Sequence, residues 1–259
     1  MSGTCEHLKE AGHFLSGYAA LLLGCGATCI RIEKNVGRMA RSCGLTADLV
    51  ILPADILLTV RRADDSHISY TCTTGVRKTS ISFFLNTELS KLSWLVAEGK
   101  MNMREAAEQV RGIGTGKVTD SRVMLFLVAA ANASFCRLFG GDGVAMSIVF
   151  VATLAGFLLK QCMLADGADV RLTTFLSAFF AAVAGSAGYV FGWGTTPELA
   201  LGTSVLFLIP GIPYINSMSD LLDGHYLCSF CRFMYAAVQT VCISLGLCGA
   251  LLLMNLRIL

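Results

Sequence analysis

The segment SVLFLIPGIPYINSMSDLLDGH, from Ser204 to His225, decides the fold of this 259-residue chain. Its apolar run is long enough to enter a membrane, yet Pro210, Gly211 and Pro213 interrupt it. A helix in lipid gives up backbone hydrogen bonds only where other protein or a water-filled cavity replaces them. The segment therefore predicts a broken membrane helix that faces the interior of a bundle, as in transporters.

Polar residues follow the break at helical spacing. Asn216 and Asp220 lie one turn apart, and His225 closes the segment. Ionisable residues in membrane segments commonly mark solute or proton pathways. The alternative interpretation is a kinked structural helix with Asp220 at the water boundary and His225 in an interfacial loop.

The composition separates the chain into two halves. Apolar residues make up 54% of the chain, charged residues 15%, and the mean hydropathy is +0.65. Residues 1–120 hold 14 of the 20 Lys and Arg and 12 of the 18 Asp and Glu. This division predicts a water-soluble N-terminal half and a lipid-soluble C-terminal half. The net charge of +2, without a concentrated basic face, indicates no nucleic-acid partner.

Five apolar windows in the second half are candidates for spanning a lipid bilayer. They run from Val123 to Cys136, Gly143 to Leu159, Leu172 to Pro197, Leu199 to Ser219 and Phe233 to Leu256. The first window holds only 14 uncharged residues between Arg122 and Arg137, so its helix must extend past one arginine or cross obliquely.

The first half contains alternating helix and strand patterns. An apolar helix beginning near Phe14 should end at Gly24 or Gly26. Helices are also predicted over 27–42, 86–98 and 102–110, and an antiparallel meander over 49–52, 56–60 and 68–72, with a further strand over 76–84. The predicted fold class is an α+β soluble N-terminal domain, residues 1–118, followed by an α-helical membrane bundle of about five transmembrane helices, residues 119–259.

The charge distribution around the spans predicts the orientation. An inside N-terminus places four basic residues on the cytoplasmic side and two on the other, namely Arg122, Lys160, Arg171 and Arg232 against Arg137 and Arg257. The apolar stretch 14–30 lacks the basic flank of an export signal. We therefore expect a multi-pass protein of the inner (plasma) membrane with its N-terminal domain in the cytoplasm.

Motifs for catalysis and cofactor binding are missing from the sequence. The stretch GIGTGK, Gly112–Lys117, resembles a phosphate loop, but Arg111 and Val118 stand where that motif needs Gly and Ser or Thr. Cys228 and Cys231 form an isolated CxxC without a second pair at zinc spacing. The sequence predicts neither an enzyme nor a bound cofactor or metal.

Three segments resemble one protein family. They are FLIPGIPYINSMSDLLDGH (207–225), GATCIRIEKNVGRMARSCGL (26–45) and DLVILPADILLTV (48–60). Over nearly the whole chain the sequence is similar to the threonine/serine exporter family, in its split form. The resemblance implies a partner, a smaller four-span membrane protein that supplies the other half. It also implies proton-motive-force-driven export of small polar metabolites, either threonine and serine or a dicarboxylate such as succinate.

The family's PG-x-P-x-x-N motif, followed by Asp near Gly, is matched by Pro210, Gly211, Pro213, Asn216, Asp220 and Gly224. We expect alternating access around a small-molecule site at this break, with substrate-binding residues Pro210, Gly211, Pro213, Asn216 and Ser217. A partly desolvated Asp exchanges protons near neutral pH, so the predicted proton-coupling residues are Asp220 first, then Asp142 and His225. Gln239 and Ser244 either line the same cavity or form interhelical hydrogen bonds.

Two rival functions remain open at this point. One is a membrane-anchored regulatory or sensory module whose first half binds a ligand. The other is a membrane-embedded enzyme, for which paired carboxylates or histidine clusters within the spans would be expected. Solute flux across vesicles separates all three.

Overall fold

The computed structural model describes residues 2–64, 68–77, 79, 81–113 and 120–255. The chain divides into two compact units. The sheet unit comprises Met1–Lys117 and Ile212–Phe233. The helical unit comprises Val118–Gly211 and Met234–Leu259.

The sheet unit combines helices with one small sheet. Its elements are α1 (Ser2–Gly24), α2 (Cys29–Ser42), β1 (Leu45–Ile51), β2 (Asp55–Arg62), β3 (Ser69–Gly75), α3 (Phe83–Ala97), α4 (Met103–Ile113), α10 (Gly211–Leu222, from its second residue) and the first residues of α11 (Tyr226–Leu253). The strands form an antiparallel meander in the order β1-β2-β3, so the predicted meander is confirmed. In its register, Leu58 lies opposite Leu49 and Cys72.

The core of this unit lies between the sheet and the helices. Ile56, Leu58 and Val60 alternate along β2 and are fully buried on one face, as a strand with one solvated face requires. They belong to the same apolar cluster as Leu15 of α1. The contact between α1 and β3 is tight, since a Cβ added at Gly12 would lie 2.8 Å from Tyr70 Cδ1.

Most predicted helices of the first half are confirmed within a few residues. α1 ends at Gly24, and α4 begins with a capping box, in which Asn102 and Glu105 exchange side-chain to backbone hydrogen bonds of 2.9 Å. The further strand over 76–84 is wrong. Its described residues include no strand, and Phe83 already begins α3 behind the N-cap Ser82.

The predicted fold class is also wrong. The protein is 71% helical, and its small three-stranded sheet does not make the N-terminal region a clear soluble domain. The compact unit that holds the sheet also contains α10, which hydropathy alone assigns to the membrane bundle. Polar residues on α10 make hydrogen bonds within that unit, from Asn216 to Gly26 and from Cys29 to Asp220. The predicted boundary between residues 118 and 119 falls outside the described segments and stays a prediction.

The helical unit contains the remaining elements. These are α5 (Ser121–Leu138), α6 (Gly143–Ala165), α7 (Val170–Gly185), α8 (Ala187–Phe191), α9 (Pro197–Thr203), a 3₁₀ turn (Leu206–Leu208) and the rest of α11. Four stretches are long and apolar enough to cross a membrane: Ser121–Leu138, Gly143–Ala165, Val170–Phe191 and Tyr226–Leu253. A bent pair, Pro197–Leu208 with Gly211–Leu222, raises the number to five if it forms one span.

Small residues and buried polar pairs hold the helical unit together. A Cβ added at Gly246 of α11 would lie 2.5 Å from the carbonyl oxygen of Phe175, so α7 and α11 are in close contact. Asn132 on α5 donates hydrogen bonds to Thr153 Oγ1 at 2.7 Å and to the Thr203 carbonyl at 3.1 Å. These bonds join α5, α6 and α9.

Candidate functional site

The helix break lies at Ile209 and Pro210, as the sequence predicts. The 3₁₀ turn ends at Leu208, and α10 begins at Gly211. Pro213 therefore occupies the first turn of a new helix, where a missing backbone N–H costs little because that turn has no intrahelical acceptors. The Ile209 carbonyl is not free, since it accepts a 2.9 Å hydrogen bond from Gly211 N.

The N-terminus of α2 is capped by a residue from α10. Its own N-cap residue, Thr28, makes no side-chain capping bond. Instead, Cys29 N donates a 2.8 Å hydrogen bond to Oδ1 of Asp220, which is fully buried. A carboxylate at this position is stabilised by the free backbone N–H groups and by the helix dipole.

Arg232 on α11 neutralises the second oxygen of the same carboxylate. Its Nη1 lies 3.0 Å from Asp220 Oδ2, and its Nη2 donates a 2.7 Å hydrogen bond to the Ala27 carbonyl. The Arg232 side chain is only 18% exposed, so water screens this pair weakly. One arginine thus joins α10 to the turn between α1 and α2.

Asn216 makes a third contact with that turn. Its Nδ2 donates a 2.9 Å hydrogen bond to the carbonyl of Gly26, which has the positive φ of +90° that favours glycine. Asn216 and Asp220 project from the same face of α10 because they are four residues apart. We call the set of Gly26, Ala27, Cys29, Asn216, Asp220 and Arg232 the turn clamp.

Two further pairs hold α10 and α11 in place beside the turn clamp. Ser217 and Ser229 each donate a 2.8 Å hydrogen bond to the other's carbonyl. The thiol of Cys228 donates to the Ile51 carbonyl at 3.3 Å and shares a hydrogen bond with Cys29. That bond and burial raise the pKa of the Cys29 thiol, so it stays protonated at neutral pH.

His225 lies at the edge of the turn clamp. Its Nε2 is 3.5 Å from Glu33 Oε1 on α2, and its backbone N donates a 2.8 Å hydrogen bond to the Asp220 carbonyl. Its side chain is 18% exposed and that of Glu33 is 37% exposed. His225 therefore joins the segment that follows α10 to α2.

The other predicted polar residues occupy different surroundings. Asp142 belongs to the helical unit, where it caps α6. Hydrogen bonds from the backbone N–H groups of Ala145 and Thr195 hold its pKa below the ordinary value. Gln239 accepts a 2.6 Å hydrogen bond from Thr174, which is the interhelical alternative left open by the sequence.

Sequence reasoning missed the partners of Asp220. It assigned Arg232 to a cytoplasmic loop because the predicted last span begins at Phe233, whereas α11 begins at Tyr226. An arginine inside the first turns of an apolar helix usually has a buried partner, and that signal was available. Neither Cys29 nor the Ala27 carbonyl carries such a signal, because their roles depend on the folded turn.

Comparison with known proteins identifies the family. The family described as "Putative threonine/serine exporter" (ThrE) matches residues 13–254. The chain belongs to the threonine/serine exporter family. The resemblance predicted from the sequence motifs is therefore confirmed, and the candidate membrane spans agree with a transport protein. The turn clamp contains Asn216 and Asp220, two residues of the motif through which this chain resembles its family.

Two relatives are named as transporter subunits. The "Probable succinate transporter subunit YjjP" of Klebsiella aerogenes is 24% identical over 249 residues, which cover 92% of each chain. The protein with the same description in Escherichia coli (strain K12) is 24% identical over 242 residues, 91% of each chain. No solved structure matches this chain.

Proposed function

We propose that this chain is one subunit of a proton-motive-force-driven secondary transporter of the inner membrane. It exports small polar metabolites, either threonine and serine or a dicarboxylate such as succinate. Its N-terminal segment lies in the cytoplasm, and a small four-span membrane protein supplies the other half. The family match and the word "subunit" in the names of both relatives support this proposal.

The observation that carries the proposal is the buried ion pair of the turn clamp. Arg232 and the N-terminus of α2 together bind one carboxylate, and in this structure that carboxylate belongs to Asp220. An arginine with nearby backbone N–H groups binds carboxylates well because both supply directed donors. Threonine, serine and succinate all carry a carboxylate, so the same donors suit each of them.

Exchange of carboxylates couples the proton to the substrate in this proposal. When Asp220 takes up a proton, it loses its attraction for Arg232 and for the α2 N-terminus. Arg232 then binds the substrate carboxylate, and release of the substrate returns Arg232 to ionised Asp220. Asn216, Ser217 and the backbone around Pro210, Gly211 and Pro213 contact the rest of the substrate. His225, beside Glu33, passes the proton, and Asp142 is a second candidate for coupling.

Vesicle flux tests this function directly. The chain is reconstituted together with its small membrane-protein partner, and export of labelled succinate, threonine and serine is followed under an imposed pH gradient. Asp220→Asn keeps a hydrogen-bond acceptor at the α2 N-terminus but removes the proton-binding group, so we expect gradient-driven export to fall at least tenfold. Asp223→Asn is the matched control, because Asp223 is exposed near the end of the same helical segment.

The controls separate folding from coupling. The Asp220→Asn assembly must elute in gel filtration at the same volume as the wild-type assembly. Exchange of solute across its vesicles without a pH gradient should persist. Gradient-driven export equal to wild type in Asp220→Asn would remove Asp220 from the mechanism. Wild-type vesicles that move none of the three solutes would contradict the transport proposal itself.

A further inference from the structure

We infer that the cleft between α1 and α4 binds an amphipathic organic anion, meaning a carboxylate attached to an apolar body. This cleft belongs wholly to the N-terminal part of the sheet unit and has a volume of about 970 Å³. Ligand pockets for small molecules span a range of about 300–1,000 Å³. The inference is independent of the transport function, since it concerns binding alone.

The walls of the cleft are apolar stripes on two helices. Phe14, Gly17 and Leu21 face it from α1, and Met103, Ala107 and Val110 face it from α4. Each stripe follows the spacing of one helix face, which normally packs against its neighbour. Here the two stripes instead border open space, so the walls can contact the hydrocarbon part of a ligand.

Gly17 provides part of that space. A Cβ added there would meet no atom within 4 Å, so neither close packing nor a turn requires this glycine. Glycine in the middle of a helix is unfavourable compared with residues that have side chains. The absence of a side chain at Gly17 therefore leaves additional space in the cleft.

The rim of the cleft is cationic. Arg104 and Arg111 line it seven residues, about two helical turns, apart, and His13 lies on the opposite helix. Among the described residues Glu10 is the only acidic one in the lining, and its ion pair with Arg104 is long, at 3.8 Å between exposed side chains. Such pairs are weak in water. Across the described segments, no hydrogen bond or ion pair involves the Arg111 side chain.

The apolar walls and the arginines at the rim together determine which class of ligand fits the cleft. An uncharged apolar molecule leaves the arginines unused, and a compact dicarboxylate leaves most of the apolar wall in contact with water. A carboxylate on an aromatic or alkyl body uses both the apolar walls and the arginines. Its body contacts the walls, and guanidinium groups bind its carboxylate in a planar, two-point geometry. Arg111 is the predicted anchor, and Arg104 assists when it leaves Glu10.

Titration calorimetry with the full chain in lipid nanodiscs tests the site, with empty nanodiscs subtracted. The probe is 4-phenylbutanoate, and its uncharged amide and succinate are the comparison compounds. We expect saturable binding of 4-phenylbutanoate and at least tenfold weaker binding of both comparison compounds. Arg111→Gln, an exposed substitution that leaves the fold intact, should weaken binding of the probe at least fivefold.

A matched pair of glycine substitutions locates the binding. Gly17→Leu places a branched side chain inside the cleft and should weaken binding of the probe at least fivefold, whereas Gly37→Leu should leave it unchanged. Gly37 is also a helix-interior glycine with no atom within 4 Å of an added Cβ, but it lies on α2, outside the cleft. Unchanged binding in Gly17→Leu or Arg111→Gln would overturn the site. Equal affinity for the amide or succinate, or no saturable binding, would overturn the ligand class.

Discussion

Asp220 caps the N-terminus of α2 from a position 191 residues later in the chain, through a 2.8 Å hydrogen bond from Cys29 N. Because the same carboxylate pairs with Arg232, one acidic group links α10, α11 and the α1–α2 turn. A change in its charge acts on all three at once. This relationship makes the turn clamp sensitive to substitutions that would be mild on an exposed surface.

Arg232→Gln should strongly destabilise the protein. It leaves the Asp220 carboxylate buried without a counterion, and removing one partner of a buried ion pair costs about 3–5 kcal/mol. We expect the free energy of unfolding to fall by that amount in reversible denaturant titrations in mixed micelles. The double variant Asp220→Asn with Arg232→Gln should lose less unfolding free energy than Arg232→Gln alone, because neither side chain of the pair is then charged.

Lys91→Gln is the control for that prediction. Lys91 forms a 2.6 Å ion pair with Glu88 within α3, but its side chain is 65% exposed. Exposed pairs contribute about 0–1 kcal/mol, so its unfolding free energy should change by less than about 1 kcal/mol. Equal effects of Arg232→Gln and Lys91→Gln would show that the buried pair has no special role.

Local patterns in the sequence predicted individual elements well. The three strands of the meander and the glycine that ends α1 are each decided within a few residues. The apolar windows likewise located the membrane helices, because length and hydropathy are local properties. α11 begins at Tyr226, seven residues before the predicted start at Phe233, because the charge of Arg232 does not end the helix.

The candidate site was predictable only in part. Asn216 and Asp220 were identified from their spacing, but the atoms that they contact lie near residues 26–29, far away in the sequence. Local patterns contain no information on such distant pairs. For the same reason hydropathy placed α10 in a bundle, although its polar face packs within the unit that contains the sheet.

Gly246→Ala should destabilise the helical unit, whereas Gly249→Ala should not. A Cβ at position 246 would lie 2.5 Å from the Phe175 carbonyl and 2.9 Å from Ala178 Cβ, so α7 and α11 would have to separate. Overpacking of this kind typically costs about 1–3 kcal/mol. At position 249 the nearest atom is 3.4 Å away, which is an ordinary contact. Denaturant titrations of both variants check the difference, and similar stabilities would contradict the close helix contact.

Asp142 should contribute a pH-dependent part of the stability. Hydrogen bonds from Ala145 N and Thr195 N lower its pKa in the folded state. Its stabilising contribution is therefore complete above the ordinary Asp pKa of about 3.9 and is lost as the pH falls through the lower folded value. Thermal unfolding between about pH 5 and pH 2 should decline less steeply in Asp142→Asn than in wild type.

Thr195→Ala provides an intermediate case for Asp142. It removes the 3.0 Å hydrogen bond from Thr195 Oγ1 but keeps the one from the backbone N–H. The pKa of Asp142 should then be lowered less, and the pH dependence should lie between those of wild type and Asp142→Asn. If thermal unfolding of Asp142→Asn depends on pH as steeply as that of wild type, the cap that Asp142 forms on α6 does not contribute to stability in acid.

Asn216→Ala should weaken apparent substrate affinity more than it changes the maximal export rate, if the turn clamp binds substrate as proposed. The substitution removes the 2.9 Å hydrogen bond to the Gly26 carbonyl, which costs about 1 kcal/mol of stability. It leaves Asp220 and Arg232 in place, so proton coupling should persist. Export from vesicles at several substrate concentrations gives both kinetic parameters. Ser219→Ala is the control, because in the described part of the chain the Ser219 hydroxyl makes one long, exposed hydrogen bond, of 3.4 Å to Asp223. An unchanged apparent affinity in Asn216→Ala, together with lower stability, would assign Asn216 a structural role only.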